Sequence, residues 1–347
     1  MRLSPPDARF LRHALIVAGL VALGLILFKL AGVLALGFGA VLVAITLRAV
    51  AGPICRFTRL GEKAGVAVGL VLLLVFAVAI LWLFGRDLER QLAALSTSLP
   101  AAWAKVDARL SQDFLGSRLL DQLSTLDASW LLTRAPGWAS GAASSLAAFV
   151  IVLFAGVFLA LEPNQYVTGA LRLMPLRLRP AGLEALQACG IALRQWLIAQ
   201  FGSMLMMTIS IGGMLWMAGV GSPVALGLLA GLGQFVPVIG PFVAAAPAVL
   251  LAFSESPEKA GWTVLIYVVV GQIESNLFSP LMLRQTAHLP MAVTLFTVFA
   301  FGLLLGPAGV LVATPMAVVI YVLTKKLYVE GFLEQDVSEP RQTDSTR

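Results

Sequence analysis

Eight apolar runs, at about 14–30, 33–47, 64–84, 146–161, 197–219, 222–253, 261–282 and 290–323, decide what this chain can fold into. Several reach the length of roughly 18 uninterrupted apolar residues that marks a bilayer-crossing helix, and a water-soluble fold has nowhere to bury so many. The balance of the chain agrees, with 59% of its residues apolar and 12% charged, whereas soluble domains hold about 45–50% and about 25%. The expectation is an all-α polytopic membrane protein. It has about six spanning helices plus two re-entrant hairpins tipped by proline and glycine, or eight spans if those hairpins cross fully.

Charge orders the connections. The net charge of +6 comes from basic residues that fall mostly between apolar runs, where the positive-inside rule needs them, so they read as topology signals and not as a nucleic-acid surface. Arg48, Arg56, Arg59 and Lys63 against Glu62 place the 48–63 connection inside, and four arginines between Glu162 and Arg194 do the same for the next. The segment 85–145 holds six basic and six acidic residues with Trp103, Trp130 and Trp138. It lacks the inside bias, its pattern is amphipathic, and it is expected as an extracytoplasmic helical subdomain against the membrane. Arg2, Arg9 and Arg12 before the first run outline an uncleaved signal anchor with its N-terminus inside. Lys29, at the outer end of that run, is expected to snorkel. Cys55 and Cys189 both fall on the inner side and are expected as free thiols.

These signals divide the chain into N-terminal transmembrane helices (1–84), the outer subdomain (85–145), and a transmembrane helix with a cytoplasmic amphipathic connector broken at Pro175 and Pro180 (146–196). A transport core (197–328) and a disordered cytoplasmic tail (329–347) follow.

Two of the runs carry breakers at their centres. The run from Ser222 to Phe253 would extend roughly 48 Å as a straight helix, too long for one crossing of a core about 30 Å thick and too short for two. Pro237, Gly240 and Pro241 sit at its middle and Pro247 follows, which predicts half-length helices at 222–236 and 242–253 meeting at a turn. The last run repeats the arrangement with Gly306 and Pro307 at mid-run and Pro315 beyond. Each unit reads as one spanning helix followed by a broken hairpin. Re-entry keeps Arg284 inside and the "SESPEKAG" connection outside; full crossing of both swaps those sides and mildly violates the positive-inside rule. Re-entry makes the units inverted repeats, a common build of secondary transporters. Small residues four apart, as at Gly65 and Gly69, Gly227 and Gly231, and Gly302 and Gly306, point to close packing within the chain.

Polar groups at membrane depth cluster in "GQIESNLFSP". A charged side chain within a transmembrane helix costs about 2.5–3.5 kcal/mol on insertion scales, so Glu274 is a functional-site candidate, against the alternative of a structural carboxylate paired to a neighbouring helix or wetted near the interface. On an ideal helix Gln272, Ser275, Asn276 and Ser279 share one face and Glu274 lies off it. They converge only if the helix loosens, which Pro280 favours by removing a donor and crowding the Asn276 carbonyl. Gln234 stands beside the first tip, and Thr314 precedes Pro315 in the second. His13 and His288 form no nucleophile–base or zinc constellation and no Walker element occurs. No enzyme activity, cofactor or metal is expected.

"GLLAGLGQFVPVIGPFVAAAPAVLLAF", followed by "ESNLFSPLMLRQTAHLPMAVTLFTVFAFGLLLGPAGVLVATPMAVV", resembles the C-terminal half of the AI-2E family, the autoinducer-2 exporter-like transporters of bacteria. The PxxGP element, the ExN before a proline, and Gly306, Gly309, Ala313 and Pro315 carry the resemblance; the N-terminal half matches in hydropathy alone. It implies a multi-pass permease of the bacterial inner membrane, without its own ATPase, assembled as a homo-oligomer. The solute implied is a small polar one, autoinducer-2-like, or Na⁺ and H⁺ in exchange. The expected pathway residues are Gln234, Pro237, Gly240, Pro241, Pro247, Gln272, Glu274, Asn276, Pro280, Gly306, Pro307 and Pro315, with both termini cytoplasmic. A scaffold that recruits partners without flux, or a passive pore, remains the alternative.

Overall fold

The computed structural model describes residues 5–75, 78–79, 82, 90, 147–236, 239–278 and 291–330. The expected outer subdomain, Arg90 apart, and the tail beyond Glu330 lie outside the described residues, as do Pro237 and Pro280. Among the described residues every regular element is helical.

α1 runs from Pro5 to Thr58 as one helix of 54 residues. The break expected between the runs ending at 30 and starting at 33 does not occur. Only Gly32 interrupts the pattern there, and a glycine costs a helix about 1 kcal/mol, which neighbouring turns absorb. Lys29 is exposed within this continuous helix, not at an end. Arg59, in left-handed backbone, turns the chain into α2 (62–75). α3 (Ala147–Leu161) packs beside them: Leu47, Ala51, Val66 and Ala160 form one buried cluster. Pro163 then stops the helix, since the residue before a proline avoids helical backbone, and α4 (Pro163–Arg172) leaves at 88°.

At this corner Arg48 donates to the Ala160 carbonyl and pairs with Glu62 at 3.1 Å, while Lys63 pairs with Glu162 at 2.7 Å. The two connections that sequence assigns to the inner side thus meet at one end of the bundle.

α5 (Arg179–Met217) is a single helix of 39 residues. It passes through the boundary expected at 196–197: Pro180 sits in its first turn, where a missing amide hydrogen costs nothing, and so opens the helix instead of breaking it. Then come α6 (Pro223–Gly233), α7 (Ile239–Glu255), α8 (Pro257–Ile273) continuing as a π-turn over Glu274–Phe278, α9 (Met291–Leu305) and α10 (Pro307–Leu323). Three described stretches are long and apolar enough to cross a membrane, Lys29–Thr58, Leu176–Met217 and Ala308–Leu327, and the bent pair α3–α4 makes a fourth candidate.

α5 packs on α6, α7 on α8, α9 on α10, and α10 back on α5 and α1. The close helix contacts foreseen from small-residue spacing lie within the chain. A Cβ on Gly227 would meet the Gly212 backbone, one on Gly65 the Cys55 side chain, and one on Gly302 the Val310 side chain. Two cores result. Met207, Ile211, Leu215, Leu226, Ala244 and Leu251 bind α5 to α6 and α7, and Leu193, Trp196, Leu197, Val318 and Val322 bind α5 to α10.

Candidate functional site

The first broken run folds as two helices: α6 ends at Gly233 and α7 begins at Ile239, each three residues before its expected bound, with Gln234–Val236 turning between them and Pro237 outside the described residues. Gly240 and Pro241 belong to the first turn of α7, where proline needs no hydrogen-bond acceptor. Pro247 lies inside α7 without ending it, and the Tyr267 hydroxyl donates to the Ala244 carbonyl in the same stretch at 3.2 Å. A Cβ on Gly240 would fall on the Gly233 carbonyl oxygen, so the two helices start in direct backbone contact. Their far ends also meet: the Gly221 amide donates to Glu255 at 2.9 Å, and Lys259 bonds both Glu255, at 2.7 Å, and the Gly219 carbonyl. The pair α6–α7 therefore starts and finishes beside the C-terminal end of α5.

At the turn four polar side chains meet. The Ser203 hydroxyl donates to Glu274 Oε1 at 2.6 Å, Gln234 Nε2 donates to Ser203 Oγ at 3.4 Å, and Gln200 Nε2 donates to the Gln234 backbone carbonyl at 2.7 Å. Gln200, Ser203 and Gln234 are buried and Glu274 is half-buried. Two helices place this cluster at the same depth: Ser203 lies about 21 Å along α5 from Met217, and Glu274 about 22 Å along α8 from Lys259. Gln234 Oε1 is buried with no hydrogen-bond partner.

The four polar residues of the 272–276 stretch do not converge, and Ser279, expected to join them, lies outside the described residues. The loosening expected ahead of Pro280 takes the form of the π-turn that begins at Glu274, a widening that recurs at functional sites. Glu274 alone turns to α5. Asn276 donates to the Gln272 side chain at 2.8 Å and Ser275 to the Gly271 carbonyl at 2.7 Å, and all three are exposed. Ser203 and Gln200 escaped the sequence reading. Their signal was a pair of polar residues three apart, hence on one helix face, inside the apolar run at 197–219.

The second broken run turns at one residue. Gly306, at φ +64°, caps α10, and Pro307 occupies the first turn. A Cβ on Gly309 would fall on the Phe301 carbonyl oxygen, the same close approach that Gly240 makes in the first pair. Pro315 and Thr314 are buried in α10, and the Thr314 hydroxyl has no partner. The last turns of α10 lie on the N-terminal third of α5, where Cys189 donates to the Val319 carbonyl. The first tip reaches this core too, with Phe235 set edge-on to Trp196 at 5.9 Å. No cluster of three or more His, Cys, Asp or Glu fit to hold a metal occurs among the described residues.

The family model described as "AI-2E family transporter" matches residues 14–328. The chain belongs to that family. Other AI-2E-like chains include "Putative transport protein YueF" of Bacillus subtilis (strain 168), 28% identical over 179 residues, which are 49% of this chain and 46% of that one. "Putative transport protein YrrI" of the same organism is 27% identical over 151 residues, 44% of this chain and 43% of the other. "Putative transport protein MT0215" of Mycobacterium tuberculosis (strain CDC 1551 / Oshkosh) is 32% identical over 173 residues, 48% and 46%. The chain spans about half the length of these curated relatives. Membership of the AI-2E family, with the apolar helices, makes this a membrane-embedded protein.

Proposed function

We propose that the protein is a secondary permease of the bacterial inner membrane that moves a small polar solute, or exchanges ions, along a path past Glu274. The observation that carries the reading is the Ser203–Glu274 bond at the tip of α6–α7. A carboxylate about 22 Å along its helix from Lys259, bonded to a serine that a broken hairpin also touches, sits where transporters place substrate and coupling groups. α6 spans 11 residues, about 16 Å, roughly half a bilayer, and the bonded ends at Gly221 and Glu255 support its re-entry from one side. The pair α9–α10 re-enters from the opposite side, in keeping with the α10 end on Cys189. The corner of Arg48, Lys63 and Glu162 faces the cytoplasm, as do both termini. The working unit is a homo-oligomer, as the family resemblance implies, and performs no covalent chemistry.

The test is flux through purified protein in proteoliposomes, reading internal pH while Na⁺ is added outside, then uptake of labelled polyols. Wild type is expected to carry one of these and Glu274→Gln to lose it by at least about tenfold, the loss expected for one charged hydrogen-bonded contact. Equal flux in both would remove Glu274 from the path, and no flux in either would leave a scaffold.

A further inference from the structure

We propose that Ser203 is a hydroxyl relay through which the charge of Glu274 decides which atom of Gln234 is presented at the hairpin tip. A serine has one hydrogen to give. The 2.6 Å Ser203–Glu274 contact fits an O–H···O⁻ bond, and while Glu274 is ionised that hydrogen is committed to its carboxylate. Ser203 Oγ can then only accept from Gln234, which brings Nε2 towards it and sends Oε1 away, and Oε1 is the buried atom without a partner. Gln200 holds the Gln234 backbone carbonyl, leaving the amide group itself as the part free to turn.

When Glu274 takes a proton from water, its carboxyl group donates to Ser203 Oγ. The serine hydrogen is released, and the amide oxygen of Gln234 becomes its acceptor once the amide turns over. One proton is gained, at Glu274, and no covalent bond between heavy atoms changes. Nε2 now stands where Oε1 stood. The tip offers an acceptor while Glu274 is ionised and a donor once it is neutral, so a ligand that gives hydrogen bonds is held in the first state and rejected in the second.

Little else charged lies on the described helices that form this point. α5 carries no ionisable group from Leu197 to Met217, and Arg194 is exposed; α6 carries none. α7 has Glu255 alone and α8 has Glu258, Lys259 and Tyr267, of which Glu255 and Lys259 pair with each other at the opposite end and Tyr267 bonds Ala244.

The relay gives the proposed permease a coupling step and rests on that reading only for its purpose; it is measured without transport. Full-length protein in lipid nanodiscs is followed by amide hydrogen exchange over residues 233–240, relative to intrinsic rates, at several pH values. An infrared carboxyl band, identified by its loss in Glu274→Gln, reports the protonation of Glu274. Wild type is expected to change tip protection about tenfold as that band titrates, a modest local opening difference. Glu274→Gln is expected to hold the low-pH pattern throughout. Ser203→Ala keeps the titrating band but loses the pH response of the tip, and Ser203→Thr keeps both. Should Ser203→Ala not fold, Gln234→Leu is read instead, with the same expected loss of response. A tip that still responds to pH in Ser203→Ala or Gln234→Leu overturns the relay. Absent flux with the switch intact would instead strike the transporter reading.

Discussion

The two broken hairpins are built alike and equipped differently. In each, a glycine early in the second helix, Gly240 or Gly309, lies against a backbone carbonyl of the first, Gly233 or Phe301, and a proline sits in the opening turn. The first tip, in its described residues Gln234–Val236, is tied by hydrogen bonds to α5 and, through Ser203, to Glu274. The second is one glycine in left-handed backbone, and the buried hydroxyl of its second helix has no partner. Packing geometry has been repeated along the chain and side-chain chemistry has not, so the hydrogen-bonded polar cluster belongs to the first hairpin.

The strongest challenge to that likeness is a methyl group. Gly240→Ala and Gly309→Ala each drive a Cβ onto a backbone oxygen that no side-chain motion can clear, and each is expected to cost about 3–5 kcal/mol, in the range of severe overpacking. Thermal unfolding in detergent would show it. A large loss at one site and a trivial one at the other would end the claim of equivalent packing. Gly306→Ala probes the difference between the tips. Its Cβ meets nothing, so only the backbone is penalised: φ 64° with ψ −147° is a region open essentially to glycine alone, the cost is about 1–3 kcal/mol, and Gly306→Asn should recover little of it.

The hairpins were legible because proline and glycine act on the backbone through local sterics, which a sequence displays. The exact turn was not: Pro241 reads as a breaker from composition, yet one turn inside a helix start it is harmless, and only the position of the helix start decides. Glu274 was legible because a lone carboxylate in an apolar run is costly. Its partners were not, since pairing Ser203 with a residue 71 positions away depends on how α5 and α8 pack. The convergence of Gln272 and Asn276 on the site failed for a related reason. The π-turn over Glu274–Phe278 leaves those side chains exposed and bonded to each other.

Thr314→Val sharpens the contrast between wired and unwired polar groups. The swap removes a buried hydroxyl that bonds nothing, so stability is expected to hold or to rise by about 1 kcal/mol. Gln234→Leu, which strips a donor from Ser203, is expected to lower it by a similar amount. Opposite signs in parallel melts would bear out the asymmetry; matching losses would mean that Thr314 has a ligand of its own.

The smallest effect is expected at the rim of the first hairpin. Glu255 and Lys259 join the end of α7 to the start of α8 and reach the α5 end through Gly219 and Gly221. Both side chains are partly exposed, at 30% and 36%, and ion pairs of that kind contribute about 0.2–1 kcal/mol because water and salt screen them. A double-mutant cycle of Glu255→Gln and Lys259→Met should therefore give a coupling below about 1 kcal/mol that shrinks further in high salt. The reasoning is that backbone contact at Gly233 and Gly240 already fixes the hairpin from its tip, so the rim has little left to hold. A coupling above about 2 kcal/mol, beyond the range for exposed pairs, would invert that order and make the rim, with its flexible lysine, the place where the first hairpin is opened.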